Sequence, residues 1–372
     1  MTHPEPTRRP PTPAANARPG AGPNGPVIGI DVGGSKVSAA LVDECGGLTG
    51  LQTVPVPTRR PDEAPRTQQD KGNQHLRGPE RAATDDIGSI DDMLLDQIAR
   101  LAGLATPVAI GLGAAGWIDA DQVIRFSPHL PWREDDLARR LAARTRWPLR
   151  LVNDAKAAAW AEHRFGAGRD AETPDTRDPD AADPHTSTML MVTLGTGIGG
   201  AMIRGGELLL GRNRMAGEFG HMVVVPDGRP CQCGNRGCWE QYASGNALVD
   251  LARDHGVGGE QAGPATTAAA RAGDAAAIEL LTEVGRWLGL GLANLTAALD
   301  PDRIVIGGGL GEAGELLLGP ARAELAATLP GRGHRREPEL VAGRLGNRAG
   351  LIGAAELARC AVAADGSTTL GG

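Results

Sequence analysis

The sequence predicts an α/β protein built as two domains. Short apolar runs interleave with helical stretches from residue 27 onward, and several of those runs stop in glycine-rich turns. At 372 residues the chain is also long for one core.

The elements follow in chain order. Residues 1–26 are rich in Pro, Gly and Ala, lack the apolar stretch of a signal-peptide core and read as a disordered tail. VIGIDVGG (27–34) reads as a buried strand entering a tight turn, and KVSAALVD (36–43) as its hairpin partner. Residues 57–86 are polar and Pro-rich, a flexible insertion. Ile87, Ile90, Leu94, Ile98 and Leu101 then recur every three or four positions, which predicts an amphipathic helix. PVAIGLGAAGWID (107–119) reads as a strand leading into a glycine loop, and PLRLVNDAKAAAWAEHRFG (148–166) as a strand running directly into a helix. A second low-complexity insertion spans 168–187. Beyond it, 188–211 reads as strand, glycine turn and strand, with a helical segment running to about 253. Residues 275–300 form a long helix whose small residues suggest close packing, RIVIGGGL (303–310) a strand and turn, and 349–360 a terminal helix.

Composition narrows the function. The formal net charge of −7 argues against a large basic surface for nucleic acid. No run of about 18 apolar residues offers a membrane span. The chain reads as cytoplasmic, where clustered cysteines more often bind metal than form disulfides.

Two segments match G-x-G-x-x-G, GLGAAG (111–116) and GTGIGG (195–200), but strand-like sequence follows each where a dinucleotide site needs a helix. No Walker A loop occurs. The turns in DVGGSK, with Asp31, Gly33, Gly34, Ser35 and Lys36, and in GTGIGG, with Gly195, Thr196 and Gly197, could cradle phosphate oxygens on backbone N–H groups. Asp31 would hold Mg²⁺ through water and Lys36 add positive charge. Each turn alone is equally an ordinary hairpin turn. Together with Gly307, Gly308 and Gly309 they favour nucleotide binding.

Asn153 and Asp154 stand where an apolar strand meets a helix start, a place for a reactive carboxylate or for a plain Asp N-cap. Lys156, two positions on, is expected to face away from Asp154, at the surface or behind the site.

CQCGNRGCWE (231–240) places Cys231, Cys233 and Cys238 within eight positions of a chain that has five cysteines, and His221 lies ten residues earlier. Three Cys and one His make a closed tetrahedral zinc site of the structural type. The loop carries Glu240, and Glu218 precedes the histidine by three residues. Cys45 and Cys360 read as buried and unrelated to it.

These motifs resemble the ROK family of sugar kinases and regulators, from Val27 to about Arg359. The match is most specific in GEFGH followed by CQCGNRGCWE, the family's E-x-G-H and C-x-C-G-x-x-G-C-x-E pattern. IGIDVGGSK resembles its first phosphate loop, VNDAKAAAWAE its catalytic segment and LGTGIGGA its second phosphate loop. Within the family the chain is most similar to ATP-dependent kinases of glucose. The resemblance implies a two-domain actin-like ATPase/hexokinase (ribonuclease H-like) fold with a cleft, divided at 27–152 and 153–348, with helix 349–360 packing back on the first domain. It implies Asp154 as general base toward a hexose 6-hydroxyl, with Gly116, Asn153, Glu218, His221 and Glu240 holding the sugar. It further implies ATP, Mg²⁺ and structural zinc as cofactors, and a homo-oligomer. His221 would serve both metal and sugar. The chain departs from the family at His129 and Lys156, and mildly at Ser35. Alternative acceptors are an N-acetylhexosamine or fructose, and polyphosphate an alternative donor. A repressor would need a DNA-binding domain that the 26 Pro-rich residues do not form; a sugar-sensing regulator would need neither phosphate loops nor Asp154.

Overall fold

The computed structural model describes residues 24–56, 79–128, 130–169, 187–257 and 262–368. Most of the tail and of both expected insertions, and His129, lie outside the described residues.

The chain opens with β1 (Val27–Val32), β2 (Lys36–Val42) and β3 (Leu48–Pro55) as an antiparallel meander. Helix α1 (Pro79–Leu104) follows, starting eight residues before Ile87, so 79–86 belongs to the helix and not to a flexible insertion. β4 (Ile110–Ala114) then pairs parallel to β1. A small sheet that the sequence did not announce comes next, formed by β5 (Trp117–Ile118), β6 (Ile124–Phe126) and β7 (Arg133–Asp135). Helix α2 (Leu137–Ala142) and β8 (Leu149–Asn153) complete the first large sheet, ordered β3-β2-β1-β4-β8.

Helix α3 (Asp154–Phe165) begins without a linker after β8. β9 (Thr188–Leu194), β10 (Ile198–Arg204) and β11 (Glu207–Leu208) repeat the antiparallel meander. The helical segment after the cysteines is two helices, α4 (Glu240–Ala243) and α5 (Gly245–Asp254). It breaks at Ser244, whose hydroxyl accepts from Ala247 N–H at 3.2 Å and caps α5. Helices α6 (Ala262–Arg271) and α7 (Ala275–Leu299) lead into β12 (Arg303–Gly307), then α8 (Glu315–Thr328), β13 (Glu339–Ala342) and α9 (Ala349–Thr368). The second large sheet runs β11-β10-β9-β12-β13, the strand order of the first.

Each sheet has its own core. Ile28, Ile30 and Leu112 pack with Leu94, Ile98 and Leu101 of α1. Leu190, Val192 and Ile304 pack with Leu281, Leu288 and Leu317 of α7 and α8. A third cluster joins the halves, with Ala158 and Trp160 of α3, Leu351 and Ile352 of α9, and Met191 of β9. Helix α9 lies against α3 and on β1 and β4. Gly29 and Gly111 let it approach: a Cβ there would stand 2.3 Å from Leu351 O and 2.0 Å from Ala354 O. Strands β1, β4 and β9 are nearly all buried because helices cover both faces. Among the described residues no helix is long and apolar enough to cross a membrane.

Candidate active site

The site gathers where β1, β8 and α3 meet the loops before and after the cysteine cluster. Asn153, the last residue of β8, is extended at φ −67° and ψ 139°, and its Oδ1 accepts from Lys156 N–H at 3.0 Å. The cap of α3 is therefore Asn153 and not Asp154. Asp154 occupies the first helical position, where the positive end of the helix favours a carboxylate. Its Oδ1 accepts from Ala155 N–H at 2.9 Å and from Asn153 Nδ2 at 3.1 Å. Asn153 Nδ2 also donates to Gly116 O at 3.1 Å, which ties β8 to the β4–β5 turn.

Asp31, near the end of β1, shares this end of the sheet. Burial and the Asp154 carboxylate push its pKa up to about 7, with Lys36 opposing. Two carboxylates that repel one another suit a divalent cation or one shared proton.

Lys156 is not at the surface, which leaves the other place expected for it, behind the site. Only 4% of it is exposed, and its ammonium feels Glu218 and Asp154. Burial lowers its pKa, and those two carboxylates counter the effect. The first turn of α3 is sunk between the halves, so side chains on both of its flanks face the interior.

Glu218 precedes a short 3₁₀ turn at Phe219–His221. Burial pushes its carboxyl above the usual range, against Lys156 and a hydrogen bond from Trp117. Trp117 Nε1 donates to Glu218 Oε2 at 3.2 Å. Its ring stands edge-on to His221 with centroids 6.4 Å apart, and packs on Phe126 at 5.2 Å. Sequence reasoning missed Trp117; its place directly after Gly116 was the only signal. His221 turns Nε2 toward Glu218 Oε2 at 3.9 Å and Nδ1 toward Cys231 Sγ at 3.7 Å. Its two nitrogens thus face different groups.

His221, Cys231, Cys233 and Cys238 bring one ligand atom each within 4.8 Å of one another. The Sγ atoms of Cys233 and Cys238 are 3.6 Å apart. Tetrahedral zinc with Zn–S near 2.3 Å separates its sulfurs by about 3.8 Å. The donor set fits such an ion in number, chemistry and spacing. Cys45 is exposed and Cys360 half-buried, so neither is the fully buried thiol expected.

Glu240, first residue of α4, joins this cluster to the second glycine turn. Its Oε1 accepts from Cys231 Sγ at 3.0 Å and lies 3.7 Å from His221 Nδ1, and its Oε2 accepts from Ile198 N–H at 3.4 Å. A Cβ on Gly197 would come within 2.4 Å of that Oε2. Gly195, Thr196 and Gly197 form the β9–β10 turn. Gly308, at φ +80°, packs against the Leu194 backbone, which brings the 307–309 turn beside it. Gly33, Gly34, Ser35 and Lys36 form the β1–β2 turn of the other sheet, closed by Gly33 N–H to Lys36 O at 3.0 Å. Neither Gly33 nor Gly34 has positive φ, so this turn does not require glycine for its backbone angles. Gly34, Ser35 and Lys36 are exposed.

Two sheets of one strand order, joined through α3 and α9 with carboxylates, a histidine and glycine turns between them, define an α/β protein of the actin-like sugar-kinase fold. The ROK family profile matches residues 67–174 and 176–361, and the chain belongs to that family. It is 36% identical over 352 residues to a glucokinase of Streptomyces coelicolor, covering 90% of this chain and 98% of that one. An N-acetylmannosamine kinase of Shigella flexneri is 31% identical, covering 90% of this chain and 98% of its own length. Among solved structures, a ROK family glucokinase from Streptomyces griseus in complex with glucose and AMPPNP is 35% identical. It superposes with a TM-score of 0.73 over 90% of this chain and 99% of its own.

Proposed function

We propose that this chain is an ATP-dependent kinase that phosphorylates the 6-hydroxyl of glucose, with Asp154 as general base. One observation carries the reading. Asn153–Asp154, Glu218, His221 and Glu240, far apart in sequence, come together at one place: Asn153 holds Gly116 O, the adjoining Trp117 donates to Glu218, His221 stands 3.9 Å from Glu218 and 3.7 Å from Glu240, and Glu240 accepts from Ile198 N–H beside the second glycine turn. The glucokinase relatives support the choice of glucose and ATP.

Asn153 and the Ala155 N–H fix one oxygen of the Asp154 carboxylate, which sets the orientation of the other. The carboxylate takes the proton of the 6-hydroxyl as its oxygen bonds the γ-phosphorus, and the bond to the β-phosphate oxygen breaks in line to release ADP. Backbone N–H groups of the turns at 33–36 and 195–197 stabilise charge on the phosphate oxygens. Asp31 would hold Mg²⁺, which neutralises charge on the phosphates. Glu218, His221 and Glu240 accept from or donate to the remaining hydroxyls. Zinc held by His221, Cys231, Cys233 and Cys238 would fix the loop that carries His221 and Glu240.

The test is transfer from Mg-ATP to glucose, mannose, fructose, N-acetylglucosamine and N-acetylmannosamine, with polyphosphate as second donor and Asp154→Asn beside the wild type. Glucose should be the best acceptor, and the variant should lose about 10²–10⁴-fold in kcat with its zinc content and circular dichroism unchanged. A folded, zinc-loaded protein that transfers to none of the sugars overturns the reading.

A further inference from the structure

Trp117 belongs to the first half of the chain and Glu218 to the second, 101 positions later, yet the indole N–H meets the carboxylate at 3.2 Å. The contact therefore ties the two halves of the chain together. Its ends are anchored independently. Trp117 follows Gly116, whose carbonyl is held by Asn153 Nδ2, and its ring rests on Phe126, which Arg133 covers from 4.1 Å. Glu218 is fixed by the turn through His221, whose other nitrogen faces the cysteine cluster.

An indole nitrogen is a donor only, so it commits Glu218 to the role of acceptor and selects one of its two oxygens. That oxygen, Oε2, is also the one facing His221 Nε2. No described residue donates to Oε1. A carboxylate pinned through one oxygen presents the other in a fixed direction, and a hydroxyl that meets it need not first order the side chain.

We propose that Trp117 is a positioning residue for the sugar, acting through Glu218: from the other half of the chain it holds that carboxylate so that Oε1 receives a hydroxyl of the acceptor. This rests on the reading of the chain as a hexose kinase and adds to it a residue outside the family's sequence motifs quoted above. Loss of the indole donor should weaken sugar binding, with little effect on nucleotide binding or on the chemical step.

The experiment is calorimetric glucose affinity and steady-state kinetics on wild type, Trp117→Phe, Glu218→Gln and the double variant. Phe keeps an aromatic ring against Phe126 and removes only the donor. Trp117→Phe should raise the glucose Kd and KM about tenfold, the scale of a hydrogen bond to a charged group. The KM for ATP and the unfolding temperature should hold, and kcat should change by less than about threefold. In the Glu218→Gln background the same substitution should cost less than about threefold, because the interaction it removes is already altered. A Trp117→Phe affinity equal to wild type overturns the proposal and leaves the kinase reading standing. So does a full tenfold loss repeated in the Glu218→Gln background. Wild type that binds glucose without transferring phosphate sinks the kinase reading, while the affinities still decide the role of Trp117. Wild type that binds no sugar of the panel overturns both.

Discussion

At the scale of single residues, the site is governed by carboxylates crowded together and largely withdrawn from water. Asp31 is the clearest case, raised to about 7 by burial and by Asp154. A carboxylate whose folded pKa lies above its unfolded value adds stability below the unfolded pKa, near 4, and loses it as pH rises through the folded value. Between pH 4 and pH 7 the magnesium-free protein should therefore lose stability through this residue. Asp31→Asn should match wild type near pH 4 and exceed it at pH 8 by about 1–3 kcal/mol, the shift discounted for partial exposure. Denaturant unfolding at the two pH values checks this, and equal stabilities at pH 8 would sink it. Lys156 shows how far one residue can be read in advance. The helical spacing places it off the face of Asp154, which holds for an isolated helix, but only tertiary structure shows that both flanks of this turn are interior. Trp117 was illegible for the same reason, since its partner lies 101 positions away. Asn153, Asp154 and the Cys/His set were legible because adjacent residues or short spacings bring them together.

At the scale of elements, strands and glycine turns were read well, and helix boundaries less so. Helix α7 runs Ala275–Leu299 where 275–300 was expected, since Asp274 caps it through Ala277 N–H at 2.8 Å and no proline interrupts it. The start of α1 and the break at Ser244 were missed, because polar residues at a helix entrance carry no apolar period and a cap inside a helical run looks like one more turn. The small residues of α7 do allow close packing. At Gly291 a Cβ would stand 2.0 Å from the indole of Trp239, whose Nε1 donates to Trp287 O at 2.7 Å. Trp239 follows the ligand Cys238 and is fully buried. Helix α7 is thus the floor on which the cysteine loop rests. Gly291→Ala should force the indole aside, destabilise the fold by about 1–3 kcal/mol and lower the affinity for zinc. Thermal unfolding and competition with a chromogenic chelator measure the two effects. A variant with lowered stability and wild-type zinc affinity would show that the loop does not depend on α7.

At the scale of the whole molecule, the internal duplication is the feature least visible in sequence. Both sheets share one strand order, yet only the strand–glycine-turn units hint at it, because a shared topology constrains apolar alternation and turn geometry rather than residue identity. The duplication gives each half its own core, with α3, α9 and the site as the connection. The cysteine cluster belongs to one half only. Trp239 packs into the core beneath the second sheet, while Glu240 reaches from the cysteines to the turn at Gly197. Loss of the metal should therefore act asymmetrically. In Cys233→Ser, metal stoichiometry should fall, and amide exchange should quicken in β9, β10, α4 and α7. Strands β1 and β4 and helix α1 should keep wild-type protection, since their core shares no residue with the loop. The KM for glucose and the KM for ATP should both rise, because Glu240 lies beside His221 and the second glycine turn alike. Hydrogen exchange with mass-spectrometric readout, beside metal analysis and kinetics on the same preparation, makes the comparison. Exchange that quickens equally in both halves would mean that the metal holds the molecule through the α3–α9 connection. A rise in the glucose KM alone would separate Glu240 from the nucleotide turn.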